Sequence, residues 1–271
     1  MRVGFVGVGS IGRPMLEQVV AAGHDVAFHA RRPEVIAEVE ATGATPVGSV
    51  EELGARSEVV VVCVFSDDQV REVCFGPGGL IDSMSAGGVV VNHTTCSPET
   101  VVEMERRGQP RDVRVIDAPF SGSASDASAG TITLLASGPE SVLDQVRPVI
   151  SSYCDPILRV GDVGDGQRVK LVNNALFGAT LGLVVEAERL AEDLGLDPGM
   201  AFEAIAHCSG GSYALGASLR AGSARGLRRG AGRYIAKDVA TAQALAHHAG
   251  TDLGILGVVA TSDPPPPSSE A

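Results

Sequence analysis

Lysine occurs at only two positions in this chain, Lys170 and Lys237, although 21 of its 271 residues are basic. The other basic residues are arginines, whose pKa above about 12 prevents proton transfer, whereas burial can bring a lysine ammonium close to neutrality. A lysine retained where arginine is otherwise used therefore points to acid–base chemistry. A compositional bias that happens to leave two lysines is the alternative explanation.

Lys170 and Asn174 are four residues apart near the start of a long, mainly apolar helical stretch at 164–194, so they share one helix face. The ammonium could move a proton onto or off a reacting oxygen, while the amide orients the ammonium or a substrate hydroxyl. Reduction of a carbonyl needs such a proton, because hydride addition places negative charge on the oxygen. A solvated surface lysine is the ordinary alternative for such a position.

A glycine-rich turn follows the first apolar run of the chain and matches the pattern GxGxxG. Its residues are Gly7, Val8, Gly9, Ser10, Ile11 and Gly12. The first glycine of this pattern permits a tight turn, the second lets the backbone approach a pyrophosphate, and the third allows close packing of a helix on a strand. Since the turn lies between a strand-like run and an amphipathic stretch, it predicts a dinucleotide site rather than an ordinary glycine turn.

The cofactor preference depends on the residues that follow the second strand-like run. Arg31 and Arg32 stand there, with no acidic residue before Glu34. An NAD-binding chain usually places a carboxylate at this point against the ribose hydroxyls, whereas guanidinium groups can pair with a 2′-phosphate. The sequence therefore favours NADP, with NAD as the alternative cofactor and a solvated arginine pair as the alternative role.

The predicted fold class is α/β, a Rossmann-type doubly wound, mostly parallel sheet with a second, all-helical domain. Apolar runs give candidate strands at 2–7, 25–29, 58–64, 88–92, 113–117, 131–137 and 156–160. The predicted domains are an NADP-binding domain at 1–162, a helical substrate and oligomerisation domain at 163–260, and a disordered proline-rich tail at 261–271. Within the helical domain, the glycine- and arginine-rich segment 221–233 is predicted to be a mobile loop, and 235–249 a helix.

Composition excludes several classes of protein. The 33 acidic residues give a formal net charge of −12, which disfavours binding to nucleic acid or to an anionic membrane surface. The sequence contains no run of about 18 apolar residues of the kind that spans a membrane. The five cysteines and six histidines lack the spacing of a metal site, so we expect no metal and a reducing, cytoplasmic location.

Five segments in order resemble the β-hydroxyacid dehydrogenase family, which includes 3-hydroxyisobutyrate dehydrogenase and the glyoxylate and succinic semialdehyde reductases and is related to 6-phosphogluconate dehydrogenase. The resemblance runs from residue 1 to about 250. It rests on the glycine turn at 7–12, on Thr94-Thr95-Cys96-Ser97-Pro98, on Asp117-Ala118-Pro119-Phe120-Ser121-Gly122 with its continuation to Gly130, on the segment 164–174, and on Lys237-Asp238.

The resemblance implies an oxidoreductase that interconverts a small 3-hydroxy acid and its semialdehyde. Lys170 would be the general acid and base, and Asn174 would assist with the substrate. The implied carboxylate-binding residues are Ser121, Gly122 and Ser123, and the implied cofactor contacts beyond the glycine turn are Phe65, Ser66, Thr95 and Lys237. Small residues after a strand can also expose backbone N–H groups to a carboxylate, although many such segments are plain turns. Family members form dimers or tetramers through the long helix, so a homo-oligomer is expected.

Departures from the family pattern keep other functions open. Ser123 replaces a common glycine, Arg228-Arg229-Gly230-Ala231 replaces an aromatic or apolar wall, and the proline-rich tail stands where relatives continue into another helix. An imine reductase-like enzyme is one alternative, although such relatives typically place Asp or Tyr where Lys170 stands. A dinucleotide-binding scaffold or sensor without turnover is the other.

Overall fold

The computed structural model describes residues 1–262 and divides the chain into two compact units, Met1–Lys170 and the part that begins at Leu171. The first unit contains a nine-stranded sheet within the described residues. Its strands are β1 (Arg2–Val6), β2 (Asp25–His29), β3 (Thr45–Pro46), β4 (Val59–Val62), β5 (Val89–Asn92), β6 (Arg114–Asp117), β7 (Phe120–Ser121), β8 (Ile132–Ser137) and β9 (Cys154–Gly161).

The strand order is β3-β2-β1-β4-β5-β6-β8-β7, and β9 pairs with β8. All pairs from β3 to β6 are parallel, whereas β8 runs antiparallel to β6 and β7. The order reverses between β1 and β4, as in a doubly wound fold. The predicted fold class, a mostly parallel Rossmann-type sheet followed by a helical domain, is confirmed.

Helices cover the sheet on both faces because its central strands are apolar on both faces. These helices are α1 (Gly12–Ala21), α2 (Pro33–Glu40), α3 (Val50–Arg56), α4 (Asp67–Phe75), α5 (Leu80–Ser83), α6 (Pro98–Gly108), α7 (Ala124–Ala129) and α8 (Glu140–Ile150). In β4, Val59 and Val61 belong to one apolar cluster with residues of α1 and α8, whereas Val60 and Val62 belong to another with residues of α4 and α6. Each fully buried valine contributes roughly 1.5–3 kcal/mol to folding.

The second unit is helical throughout its described part. Its helices are α9 (Asp165–Asp193), which begins in the first unit, α10 (Pro198–Ile205), α11 (Tyr213–Arg220), α12 (Ala224–His248) and α13 (Gly254–Thr261). Leu181 and Val185 of α9 are buried in one cluster with Phe202 of α10 and Leu215 of α11. At Gly182 a Cβ atom would lie 2.8 Å from the carbonyl oxygen of Val259, so this glycine allows α13 to approach α9 closely.

By length and mean hydropathy alone, α9 could cross a membrane, the one helix of residues 1–262 for which this holds. A core helix of a globular protein passes the same test, and α9 buries an apolar face against α10 and α11. We therefore interpret it as the core helix of the second unit.

The local structure differs from the sequence-based expectations at three places. Strands β3 and β7, two residues each, were not predicted, because a two-residue strand has no periodicity to detect. The prediction of a mobile loop at 221–233 is wrong, since α12 begins at Ala224 with the Ser223 hydroxyl accepting the Gly226 N–H. Packing of Leu227 against the apolar cluster outweighs the low helix propensity of the glycines. The predicted disordered tail at 261–271 is wrong at its first residue, because Thr261 is the last residue of α13; from position 263 onward it lies outside the described residues.

Candidate active site

The residues predicted to bind a dinucleotide lie at the carboxyl ends of neighbouring parallel strands. β1 ends just before Gly7, β2 shortly before Arg31, and β4 and β5 shortly before Phe65 and Thr95. Because β2, β1, β4 and β5 are adjacent and parallel, these ends meet at one edge of the sheet. Ligands of doubly wound folds bind at this edge, next to the point where the strand order reverses.

The glycine turn has the geometry that its pattern requires. Gly7 has a φ of +93°, and a Cβ atom there would lie 2.1 Å from the carbonyl oxygen of Cys63. A Cβ at Gly12 would lie 2.0 Å from the carbonyl oxygen of Gly7, whereas one at Gly9 would meet nothing within 4 Å. Two glycines thus close the turn onto the sheet and the third leaves open space at the start of α1, as a pyrophosphate cradle needs.

Arg31 and Arg32 are exposed between β2 and α2. The Arg32 guanidinium lies 3.8 Å from the carboxylate of Glu34, whereas Arg31 has no carboxylate within ion-pair distance among the described residues. Since the chain is strongly acidic, an arginine without a carboxylate partner at this position is suited to an external anion.

Phe65 and Ser66 form the turn between β4 and α4. The Phe65 side chain is 46% exposed and its N–H donates to Gln69 Oε1 at 2.8 Å. The Ser66 hydroxyl accepts the Gln69 N–H at 3.3 Å and so caps α4. In this structure Ser66 uses its side chain as a helix cap, which leaves the exposed Phe65 ring as the apolar surface of the turn.

A buried polar cluster joins the carboxyl end of β6 to the start of α9. Asp117 is fully buried, and its carboxylate accepts from the Ser137 hydroxyl at 3.0 Å, the Gln167 N–H at 3.0 Å and the Gln167 amide at 2.6 Å. Burial raises the pKa of Asp117 to about 6, although these hydrogen bonds act in the opposite direction. The cluster fixes the first turn of the helix that carries Lys170.

Lys170 is half-buried on α9, three residues after Gln167. Spacings of three and four residues on a helix bring side chains onto one face, so Lys170 follows the buried Gln167 on that face. The Lys170 side chain therefore extends from α9 one turn after Gln167, which hydrogen bonds hold in the core of the first unit. This is the placement that a positioned acid or base needs.

In the second unit, one carboxylate joins two of the predicted site residues. Asp238 is buried; one of its oxygens accepts from the Asn174 amide at 2.5 Å, and the other lies 2.9 Å from the Lys237 ammonium. Asn174 Oδ1 accepts from the side-chain amide of Asn173 at 3.0 Å. Asp238 thus fixes the orientation of the Asn174 side chain, and its negative charge offsets the positive charge of the Lys237 ammonium.

The segment predicted to bind a carboxylate contains a capping box. The N–H and the hydroxyl of Ser123 both donate to Asp126 Oδ2, at 2.6 Å and 2.7 Å. Ser121 lies in β7, and Gly122 has a φ of +148°, a conformation that favours glycine. Both donors of Ser123 are engaged by Asp126 here, so an anion bound at Ser123 would have to displace that carboxylate.

A buried histidine–tyrosine pair contacts the backbone of Ala118, just before β7. His93 Nδ1 lies 2.6 Å from the carbonyl oxygen of Ala118, and Nε2 lies 2.9 Å from the Tyr153 hydroxyl. Because a carbonyl only accepts, Nδ1 carries the proton and the hydroxyl donates to Nε2. Burial lowers the pKa of His93 to about 4. The pair fixes the backbone just before Pro119 with a neutral imidazole.

His93 and Asp117 should give opposite contributions to stability in mild acid. The pKa of His93 falls from 6.5 to about 4 on folding, so protonation of the unfolded chain lowers the free energy of unfolding as the pH falls from 6.5 to 4. The pKa of Asp117 rises from 3.8 to about 6, which raises that free energy as the pH falls from 6 to 4. Each contribution is about 3 kcal/mol over its window.

Urea unfolding of two variants at pH 6.5 and pH 4.5 tests these signs. Asp117→Asn should lose more stability than the wild type on acidification, because only the histidine contribution remains. His93→Asn should lose less than the wild type. Equal acid sensitivity in all three proteins would refute the assigned protonation states.

Sequence reasoning did not assign a role to Gln167, Asp238, His93 or Tyr153. Gln167 and Asp238 lie inside segments that carried the family resemblance, so a signal was present. His93 and Tyr153 are 60 residues apart and gave none. No cluster of three or more metal-ligating side chains occurs within residues 1–262.

The fold and the glycine turn are typical of a dinucleotide-binding domain, and comparisons with known proteins identify the family. Residues 2–161 match the model of the NAD-binding domain of 6-phosphogluconate dehydrogenase, and residues 164–262 match the NAD-binding domain of NADP-dependent 3-hydroxyisobutyrate dehydrogenase. The chain belongs to the β-hydroxyacid dehydrogenase family, whose members are NAD(P)-dependent oxidoreductases acting on CH–OH groups of hydroxy acids.

Two relatives and one solved structure illustrate the similarity. The chain is 32% identical to 2-(hydroxymethyl)glutarate dehydrogenase of Eubacterium barkeri, over 81% of this chain and 73% of the relative. It is 30% identical to 3-hydroxyisobutyrate dehydrogenase of Pseudomonas aeruginosa, over 94% of this chain and 89% of that one. The fold matches 3-hydroxyisobutyrate dehydrogenase of Mycobacterium tuberculosis with a TM-score of 0.84 at 24% identity, covering 96% and 91% of the two chains.

Proposed function

We propose that this protein uses NADP(H) to interconvert a small 3-hydroxy acid and the matching semialdehyde, with Lys170 as general acid and base. The observation that carries the proposal is the placement of Lys170. It is half-buried and lies one helical turn after Gln167. The Gln167 side chain bonds to the backbone of Thr94 and Cys96 in the turn after β5. A titratable amine on the helix whose first turn is bonded to the turn after β5 suits a reaction that couples hydride and proton transfer.

In the reducing direction, negative charge develops on the carbonyl oxygen of the semialdehyde, and the Lys170 ammonium stabilises this charge and then donates a proton to it. In the oxidising direction, the neutral amine accepts the hydroxyl proton. The nicotinamide ring, when bound, supplies or accepts the hydride at carbon. Asn174, whose amide is oriented by Asp238, would hydrogen-bond the substrate oxygen or the amine.

The substrate class is supported by the relatives and by the segment at 121–123. Both dehydrogenases named above act, by their names, on acids that carry a hydroxymethyl group. A carboxylate common to such acids would be held by the hydroxyl of Ser121 and the backbone at Gly122 and Ser123. Because both donors of Ser123 contact Asp126, this proposal relies mainly on Ser121 and on the backbone of Gly122.

The preference for NADP is supported by Arg31 and Arg32. Arg31 has no carboxylate partner among the described residues, and the matched family model of residues 164–262 is named for an NADP-dependent enzyme. We further propose that Phe65, Ser66, Thr95 and Lys237 contact the cofactor. In this proposal, the domain at 1–162 binds NADP and the domain at 163–260 serves the substrate and oligomerisation.

An exposed apolar stripe on α9 supports a homo-oligomer. Leu176, Leu183 and Leu190 recur at intervals of seven residues and are 55%, 60% and 53% exposed. A spacing of seven places them along one side of the helix, where a second copy of α9 could cover them. A monomeric mass in sedimentation equilibrium would contradict this proposal.

A reducing location such as the cytoplasm is supported by the five cysteines, all of them free.

A substrate panel tests the proposed function. The purified protein is mixed with NADPH and with malonic or methylmalonic semialdehyde, whose reduction gives 3-hydroxy acids, and with glyoxylate and succinic semialdehyde for comparison. Consumption of NADPH is followed by its absorbance. We expect turnover with at least one of these acids and the reverse reaction with the matching hydroxy acid. Tight binding of NADPH without consumption across the panel would instead favour a dinucleotide-binding scaffold.

A further inference from the structure

We infer that Gln167 is a positioning residue, which holds the backbone around Thr95 at a fixed place relative to the helical turn that bears Lys170. The inference rests on the proposed function, in which Thr95 contacts the cofactor and Lys170 moves the proton. Neither role involves Gln167 itself, which acts through the two segments that it joins.

The side chain of Gln167 brackets Thr95 on both sides. Its Oε1 accepts the N–H of Cys96 at 2.9 Å, and its Nε2 donates to the carbonyl oxygen of Thr94 at 3.1 Å. The residues before and after Thr95 are thus both bonded to one amide group, which is fully buried. The backbone of Thr95 cannot shift along the sheet edge without breaking one of these bonds.

The same residue is also fixed at the other end. Its N–H and its second amide proton donate to the two oxygens of Asp117, which the Ser137 hydroxyl holds in turn. Three segments therefore meet at Gln167: the turn after β5, the carboxyl end of β6 and the first turn of α9. Lys170 follows three residues later on the same helix. Gln167 therefore fixes the position of the Lys170 Cα atom relative to the turn that contains Thr95.

Only an amide side chain satisfies this set of partners. The site needs one acceptor for Cys96 and two donors for Thr94 and Asp117, which is the hydrogen-bonding capacity of glutamine. Glutamate would lack both donors and would place a second carboxylate beside Asp117. Methionine has a similar length but would leave the buried groups of Thr94, Cys96 and Asp117 without these partners.

Gln167→Met should therefore lower kcat about 10- to 100-fold, because small displacements of reacting groups have effects of this size. KM for the substrate should change much less. With NADPH deuterated at the transferred position, the isotope effect on kcat should become larger than in the wild type, since hydride transfer becomes rate-limiting. A variant that is only partly folded would have fewer active molecules and an unchanged isotope effect.

Ser57→Ala is the matched control. Ser57 is buried in the same unit, and its hydroxyl donates to the carbonyl oxygen of Leu53 at 2.7 Å, away from the turn after β5. This control should keep the wild-type kcat and isotope effect.

In the double variant Gln167→Glu with Asp117→Asn, donor and acceptor are exchanged between the two side chains, so kcat should be higher than in Gln167→Glu alone.

Hydrogen exchange gives a readout that does not depend on turnover. In Gln167→Met the amide of Cys96 should exchange faster than in the wild type, whereas Ser57→Ala should leave it protected. An unchanged exchange rate at Cys96, or a lower kcat with an unchanged isotope effect, would overturn the inference. If the wild type reduces no semialdehyde but Cys96 responds as expected, the proposed function fails and the structural link remains.

Discussion

Lys170→Ala should lower kcat by about 10²- to 10⁴-fold, the range that general acid–base catalysis supplies. The reason is that alanine can neither donate a proton to the carbonyl oxygen nor stabilise the charge that develops there. Binding of NADPH should persist, because the glycine turn and Arg31 are unchanged. The rate is measured from the absorbance of NADPH at saturating substrate, and binding from the quenching of its fluorescence.

Lys170→Arg separates proton transfer from charge. Arginine keeps the positive charge but does not release a proton near neutral pH, so this variant should lose most of the activity that alanine loses. Arg168→Ala is the control, since Arg168 is an exposed cation on the same helical turn, and within residues 1–262 it forms an ion pair with Asp165 alone. If Lys170→Ala kept the full rate, or Arg168→Ala lost as much, the assignment would be wrong.

Replacing Arg31 and Arg32 together by alanine should raise the Kd for NADPH about 10- to 100-fold and leave that for NADH nearly unchanged. A hydrogen bond to a charged group contributes roughly 1.5–3 kcal/mol, and about 1.4 kcal/mol corresponds to a tenfold change in affinity. Only NADPH carries the 2′-phosphate that these side chains would bind. Fluorescence titration with both cofactors measures the two constants.

Arg106→Ala is the control for this pair. Arg106 is exposed on α6 of the same unit, so its removal changes the net charge without touching the ribose end of the proposed site. We expect it to affect NADPH and NADH alike and only slightly. Equal weakening of both cofactors by the Arg31 and Arg32 replacement would show that these arginines act through general electrostatics rather than through the phosphate.

The sequence predicted those parts of the fold that depend on long local patterns. The valine run of β4 and the length of α9 were evident because a buried parallel strand and a long core helix are apolar over many consecutive residues. The start of α12 was missed because its glycines and arginines resemble a loop, and the helix depends on packing of Leu227 that no local pattern reveals.

The candidate site divides in the same way. Lys170 and the glycine turn were proposed as site residues from residue type and spacing, since their chemistry is local. The contacts of Gln167 were not found, because it bonds to Asp117 and Thr94, which lie 50 and 73 residues away. A buried amide acquires its partners only when the chain has folded, so spacing along the sequence could not indicate them.

Chemical rescue of Lys170→Ala tests the central claim most directly. If the amine at position 170 moves the proton, added methylamine should restore NADPH-dependent reduction in proportion to its concentration, and amines of different pKa should differ in effect. The Lys170→Arg variant should not respond, because its side chain fills the space. Full activity of Lys170→Ala without amine, or a loss that no amine restores while NADPH still binds, would contradict the account.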